Sequence, residues 1–258
     1  MSKNTEQPNK KKRIKDVFFY IFVAILLLLS AAMIFHSQIE GWLLNSVKIE
    51  RTQKQIQTDQ LKKNTSKASY DWEAVESANW QSILNARNNT KELNVIGALT
   101  IPAIKMNIAV APGVDNLTLL LAAGTMYPDQ TMGKNNYPLA SHHTVSRDAL
   151  FGPLYYHAKK GQKAYLTDFN KTYVYKITKV WFVDEHRIDV AQNHWVDEND
   201  HSKGYKDELT LITCDATGAE RLIVRAKLVE VKDNWQDVSK KVSDGYADAV
   251  QLKDWKAE

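Results

Sequence analysis

The chain has 258 residues, 44% of them hydrophobic, which allows one large domain or one medium domain with appendages. Its formal net charge of +4 comes mostly from N-terminal lysines, and no basic run recurs further along, which argues against nucleic-acid binding. The single cysteine, Cys214, excludes an intrachain disulfide.

Residues 1–16 are polar and carry Lys10, Lys11, Lys12, Arg13 and Lys15, a basic cluster of the kind retained in the cytoplasm. Val17 to Phe35 follow as an apolar run broken only by Tyr20 and Ser30. As a helix it spans about 28 Å, close to the hydrocarbon thickness of a bilayer. Residues 17–36 therefore read as a transmembrane helix, N-terminus inside, with the remainder outside. A cleaved signal peptide has a shorter apolar core and a small-x-small site, whereas this run ends Met33-Ile34-Phe35-His36. A buried core helix would show a polar face, and none is present.

Residues 37–92 read as an extracellular stalk followed by an N-terminal helix. The stalk, 37–68, is rich in Gln, Lys, Asn and Thr, with few side chains to bury. Asp71 is placed to cap a helix with Trp72, Val75, Ile83 and Leu84 on its apolar face, ending near Asn88-Asn89. From Leu93 the texture is strand-like: VIGALTIPAI and MNIAVAPG are punctuated by Pro102, Pro112 and Gly113. The segment 117–126 predicts a helix closed by Gly124. KAYLTD and TYVYKITKVWFV flank Phe169-Asn170-Lys171 as a hairpin. Residues 184–207 form a long polar connection before ELTLITC, and RLIVRAKLVEV closes the strand-rich region. Short strands without a βαβ rhythm predict a mostly antiparallel barrel or sandwich over 93–232. The tail, 233–258, carries Trp235, Tyr246 and Trp255 amid charges and has no assignable role.

Cys214 ends a strand, ahead of the turn-like DATGAE and Arg221. A buried structural cysteine is the ordinary alternative. A lone thiol on the oxidising side of a membrane, however, is a liability unless it pairs between chains or does chemistry. A thiol nucleophile needs a neighbouring base or cation. The adjacent histidines His142-His143 also end a strand, and alternation lets only one of them face Cys214. His36 borders the span, His157 follows two tyrosines, and His186, His194 and His201 lie in the polar connection. One cysteine with two adjacent histidines lacks zinc-ligand spacing. Arg221 carries a permanent charge suited to a developing oxyanion, or it forms a surface pair with Glu220 or Asp215.

IGALTIPAI, MGKNNYPLASHH and TLITC, with an arginine seven residues after the cysteine in AERLIV, together resemble the class A sortases. The likeness covers about residues 93–232 and extends to the arrangement of basic segment, single span and stalk. It implies a mostly β fold, a closed eight-stranded sortase-type barrel with a few short helices behind one transmembrane helix. It implies Cys214 as nucleophile, His142 as acid and base, and Arg221 as the substrate- and oxyanion-holding residue. Ala140, Ile212 and Thr213 match substrate-binding positions, Thr213 one linked to the oxyanion.

The implied reaction cleaves the Thr–Gly bond of an LPXTG sorting signal through a thioacyl enzyme. A peptidoglycan precursor amine of the lipid II type then takes the acyl group, anchoring a surface protein to a Gram-positive wall. No nucleotide or redox cofactor is implied. Some class A members bind calcium, but YPDQTMGKNNY has only Asp129, and the acidic later loop (Asp184, Glu185, Asp189, Asp197, Glu198, Asp200) suits plain solvation, so calcium dependence is doubtful. The competing readings are a pilin-polymerising sortase, which would often carry a second apolar span, and a membrane-tethered binding module without catalysis. With unperturbed pKa values, thiolate and imidazolium would coexist in only roughly 1% of molecules at pH 7.

Overall fold

Residues 10–62, 68–71, 74–75, 78–143, 147–192, 207–214 and 218–255 are described by the computed structural model of the chain. They divide into two compact units, Met1–Glu40 and Gly41–Glu258. In the first, the apolar run forms a single helix, α1 (Lys10–Ile34). Its 22-residue stretch Arg13–Ile34 is long and apolar enough to cross a membrane by length and composition, and none of that apolar surface is buried.

The remaining elements follow in chain order. They are α2 (His36–Asn45), α3 (Gln53–Lys62), α4 (Trp80–Asn88), β1 (Gly97–Ile101), β2 (Met106–Ala111), α5 (Asn116–Leu121), β3 (Ala123–Thr125) and β4 (Asn136–Ala140). Then come α6 (Gly152–His157), β5 (Lys163–Thr167), β6 (Thr172–Asp184), β7 (Glu208–Cys214), β8 (Glu220–Lys232) and α7 (Lys240–Ala249). The strands close into a barrel in the order β1-β2-β3-β4-β7-β8-β6-β5, the eight-stranded architecture expected. Most joins are antiparallel, but β2–β3 and β4–β7 are parallel. Leu99, Ile101, Leu139, Leu166, Tyr175, Leu211 and Val224 fill the interior, each at most 1% exposed. Alternation along the strands turns Ala98, Ala109 and Ala111 outward instead, and these small side chains admit a second, helical layer.

Several local expectations change. The helix over 117–126 stops at Leu121, and Gly124 lies in β3 rather than at a helix end. A Cβ on Gly124 would sit 2.1 Å from the Gly113 carbonyl oxygen, so this glycine serves close strand approach. The N-terminal helix starts at Trp80, not after Asp71, because Asn79 and Ser82 form a reciprocal capping box. Ile83 is buried in it, Leu84 is exposed, and Trp72 lies outside the described residues. The hairpin at 168–171 is present, with the Asp168 carboxylate accepting from the amides of Asn170 and Lys171.

The larger correction concerns the stalk and tail. Leu43, Leu44, Ile49 and Ile56 are buried in the helical layer with Tyr246 and Val250 of the C-terminal tail. The Arg51 amide donates to Val250 O at 3.1 Å, and the Lys253 amide donates to Arg51 O at 3.0 Å. The Arg51 guanidinium donates to the carbonyls of Leu93 and Thr90 at 2.6 and 2.8 Å. Residues 41–62 thus pack on the barrel rather than standing as a spacer. Sparse apolar residues suffice because the tail supplies aromatic partners, Trp235, Tyr246 and Trp255, which lie ring against ring with one another and with Phe169 of the hairpin. Tyr246→Ala is expected to lower the unfolding free energy by roughly 3–5 kcal/mol, read by urea denaturation. Limited proteolysis of that variant should cut within 46–62 before the barrel; simultaneous cleavage would show clasp and barrel to unfold together.

Candidate active site

Three neighbouring strands end at one rim of the barrel. β4 and β7 run parallel, with Leu139 opposite Leu211 and Ala140 opposite Ile212. β7 and β8 pair antiparallel, with Ile212 opposite Ile223, Thr213 opposite Leu222 and Cys214 opposite Arg221. Residues directly opposite in a sheet share a face, and each step along a strand switches it. Cys214, Arg221, Ile212, Ile223 and Ala140 therefore share the outer face, and the last three belong to one buried apolar cluster. Extending the β4–β7 register by two residues sets His142 beside Cys214 on that face. His143 falls on the other, where its ring stacks on Tyr155 at 4.1 Å between centroids.

The backbone before His142 is held tightly. Ser141 N donates to Ile212 O at 3.3 Å, and His142 N to Leu119 O at 3.4 Å. The Thr213 hydroxyl donates to Ser141 O at 2.8 Å. Thr213 is the position that the resemblance links to substrate binding and the oxyanion. Alternation turns it into the barrel, 2% exposed, where it fixes the end of β4. His142 is 9% exposed, and its Nε2 is buried without a hydrogen-bond partner among the described residues. That burial penalises the charged form and pushes the imidazole down to about 4.

Cys214 is half-buried. Arg221 donates through Nη1 to Gly218 O at 2.7 Å, and through Nη2 to the Glu185 carboxylate at 3.4 Å. Glu185 is thus an acidic partner that the sequence reading did not name, and Asp215 lies outside the described residues. Glu185 could not be singled out in the sequence, where it is one acid in a polar loop. The ion pair is half open to water and worth little energy; its effect is to aim the guanidinium.

A groove of about 850 Å³ opens on this face. Ile212, Ile223 and Arg221 line its floor, Val190 one wall, and Tyr127 and Tyr70 the other. The Val190 wall is pinned: Arg225 donates to Val190 O at 2.8 Å, and Asn136 to Gln192 O at 2.9 Å. The opposite wall includes chain from before the barrel, a feature the sequence reading missed. Val114 N donates to Ser69 O at 2.7 Å, an approach that Gly113 permits because a Cβ there would lie 2.7 Å from the same oxygen.

Of the other histidines, His157 ends α6 and His186 is exposed, 3.8 Å from Glu185, while His194 and His201 lie outside the described residues. The described acids of the later loop have partners: Glu185 on Arg221, Asp189 on Arg187 at 2.6 and 2.8 Å, and Asp184 on the His186 amide. Among the described residues no group of three or more His, Cys, Asp or Glu is arranged to hold a metal ion.

The Sortase domain family matches residues 99–229, half of the chain. Sortase A of Streptococcus agalactiae is 38% identical over 84% of this chain and 88% of its own length. Sortase A of Listeria monocytogenes is 35% identical over 74% of this chain and 82% of its own length. The solved structure of the Listeria enzyme superposes with a TM-score of 0.51 at 34% identity, covering 59% of this chain and 96% of that one. With this closed barrel and a single cysteine at its rim, the chain belongs to the sortases, a family of cysteine transpeptidases.

Proposed function

We propose that the chain is a membrane-anchored class A sortase that cleaves LPXTG sorting signals at the Thr–Gly bond and joins the released acyl group to a peptidoglycan amine. The observation that carries this reading is the convergence of His142, Cys214 and Arg221 at the ends of β4, β7 and β8, beside a groove with an apolar floor. Ala140, Ile212 and Ile223 suit the leucine and proline of such a signal. The exposed apolar helix α1, behind a basic segment, suits a single span with its N-terminus inside.

Chemistry follows from the protonation of the buried imidazole. At about 4, only about one His142 in a thousand is protonated at pH 7. The working form is therefore neutral His142 beside Cys214, and Nε2, lacking another partner, takes the thiol proton as Sγ attacks the threonine carbonyl. The carbonyl oxygen gains negative charge next to Arg221. A guanidinium has five N–H donors, and the bonds described leave Nε and one Nη2 hydrogen for that oxygen. As the C–N bond breaks, the imidazolium returns its proton to the glycine nitrogen, leaving a thioester on Cys214. An incoming amine gives His142 a proton, attacks the thioester carbon, and the expelled thiolate recovers that proton. An acyl bond is kept throughout, so no redox or nucleotide cofactor enters. The described acids of the polar loop, Glu185, Asp189 and Asp184, are engaged by cations and an amide, which supports a reaction without a resident calcium ion.

Mass spectrometry of the protein with an LPXTG peptide and candidate amines reads the acyl-enzyme, the cleaved bond and the acceptor together. An inert Cys214 would instead mark a binding module. In that assay His142→Ala is expected to lower ligation by about 10²–10⁴-fold, while His143→Ala retains much of it; the reverse pattern would overturn the assignment. A chelator is expected to leave the rate unchanged.

Burial of neutral His142 also makes stability depend on pH. Between about 4 and the ordinary value of 6.5 the unfolded state binds more protons than the folded one. This contribution is fully present above pH 6.5 and is lost as pH falls towards 4, by up to roughly 3 kcal/mol. Urea midpoints at pH 7 and pH 4.5 should differ more in the natural protein than in His142→Gln, and an equal difference would remove His142 as the cause.

A further inference from the structure

Beyond the groove, the same rim carries a second constellation, on the face that strand alternation assigns to His143. Its ring stacks on Tyr155 at 4.1 Å and 12°, and meets Tyr156 edge-on at 5.6 Å. Tyr155 in turn meets the Phe182 ring edge-on at 5.9 Å. Phe182 pairs with Leu222, one step along from the pair Val183 and Arg221. The cluster therefore runs from the neighbour of His142 to the neighbour of Arg221's strand partner, flanking Cys214 on the side away from the groove. Two of its rings are partly open to water: Phe182 is 47% and Tyr156 37% exposed. Above Tyr156 lies the exposed Arg147 guanidinium, 4.8 Å from the ring centroid.

We infer that this aromatic platform, with Arg147, is the subsite for the amine acceptor, and that it takes an anionic muropeptide, a stem peptide bearing carboxylates and joined to a sugar. The inference rests on the reading that Cys214 carries a thioester. Once the groove is filled by the acylated sorting signal, a second substrate has to reach the thioester carbon from another side. Its amine must also pass within reach of His142, and the platform begins one residue beyond that base. Flat exposed rings cover the C–H face of a sugar or an aliphatic side chain, which removes apolar area from water. A guanidinium held over a ring by its cation–π contact is preorganised for a carboxylate. The sorting signal does not need these residues, since the groove already supplies its apolar floor.

The test uses the full chain in detergent, with an LPXTG peptide as acyl donor and two acceptors compared. One is a disaccharide–stem-peptide muropeptide; the other is hydroxylamine, too small to span the platform. Phe182→Ala and Arg147→Gln are each expected to raise the KM for the muropeptide about tenfold, while the rate with hydroxylamine shifts by less than twofold. Phe182→Tyr should restore the muropeptide KM. Equal losses with both acceptors would show that the cluster only supports the barrel rim, and an unchanged muropeptide KM would place the acceptor elsewhere; either result overturns the subsite. Failure of the unsubstituted protein to form an acyl-enzyme would instead overturn the thioester reading, and mass spectrometry tells the two failures apart.

Discussion

The parallel pairing of β4 with β7 is the constraint on which the rest of the site depends. Parallel neighbours place equivalent positions side by side, so two strands that end together present their last residues together. Here Ala140 meets Ile212, and the chain continues on both sides to His142 and Cys214. Antiparallel pairing with β8 adds Arg221 opposite the cysteine. Three residues spread over 80 positions of sequence thus converge through backbone register, with no bond between their side chains needed to gather them. Thr213 reinforces the arrangement from inside the barrel by tying β7 to Ser141, directly before the histidine.

That design explains which features were legible in the sequence. The strands are short β-type runs set off by turn residues, and the hairpin at 168–171 has a local turn signal, so both could be read in short windows. Cys214 stood out as a lone thiol at a strand end, whereas the choice of His142 over His143 and the role of Arg221 came from the likeness of LASHH and TLITC to the class A sortases. Local windows fail where the partner is distant. Gly124 looks like a helix end unless the Gly113 carbonyl beside it is known. Residues 41–62 look like a spacer because their four buried aliphatic side chains find partners about 190 residues later, at Tyr246 and Val250. Glu185 is indistinguishable from other loop acids until the fold sets it against Arg221. Thr213 was read by position in a motif, and its bond to the Ser141 carbonyl is visible only once β4 and β7 are side by side.

Stability and reactivity pull against each other at His142. Burying an imidazole with an orphaned nitrogen costs free energy, and the surrounding backbone bonds from Leu119, Ile212 and Phe151 hold it there nonetheless. The same burial removes competing protons at neutral pH, so the base is available whenever a thiol or amine approaches. A solvated histidine would be protonated more often and would carry no such cost. The rigid rim suits this arrangement, because relaxation of β4 would let water satisfy Nε2 and erase the difference.

The packing of residues 41–62 on the barrel gives the C-terminal tail its place in the fold. The clasp formed by Arg51, Val250 and Lys253 ties chain from before the barrel to chain from after it. A segment this poor in apolar residues cannot offset its own ordering entropy, so it stays ordered only where distant side chains supply the missing apolar surface. Trp235 and Tyr246, which have no part in the chemistry, supply that surface to Leu43, Leu44, Ile49 and Ile56. The aromatic tail thus serves the barrel by holding in place a segment that would otherwise be a spacer.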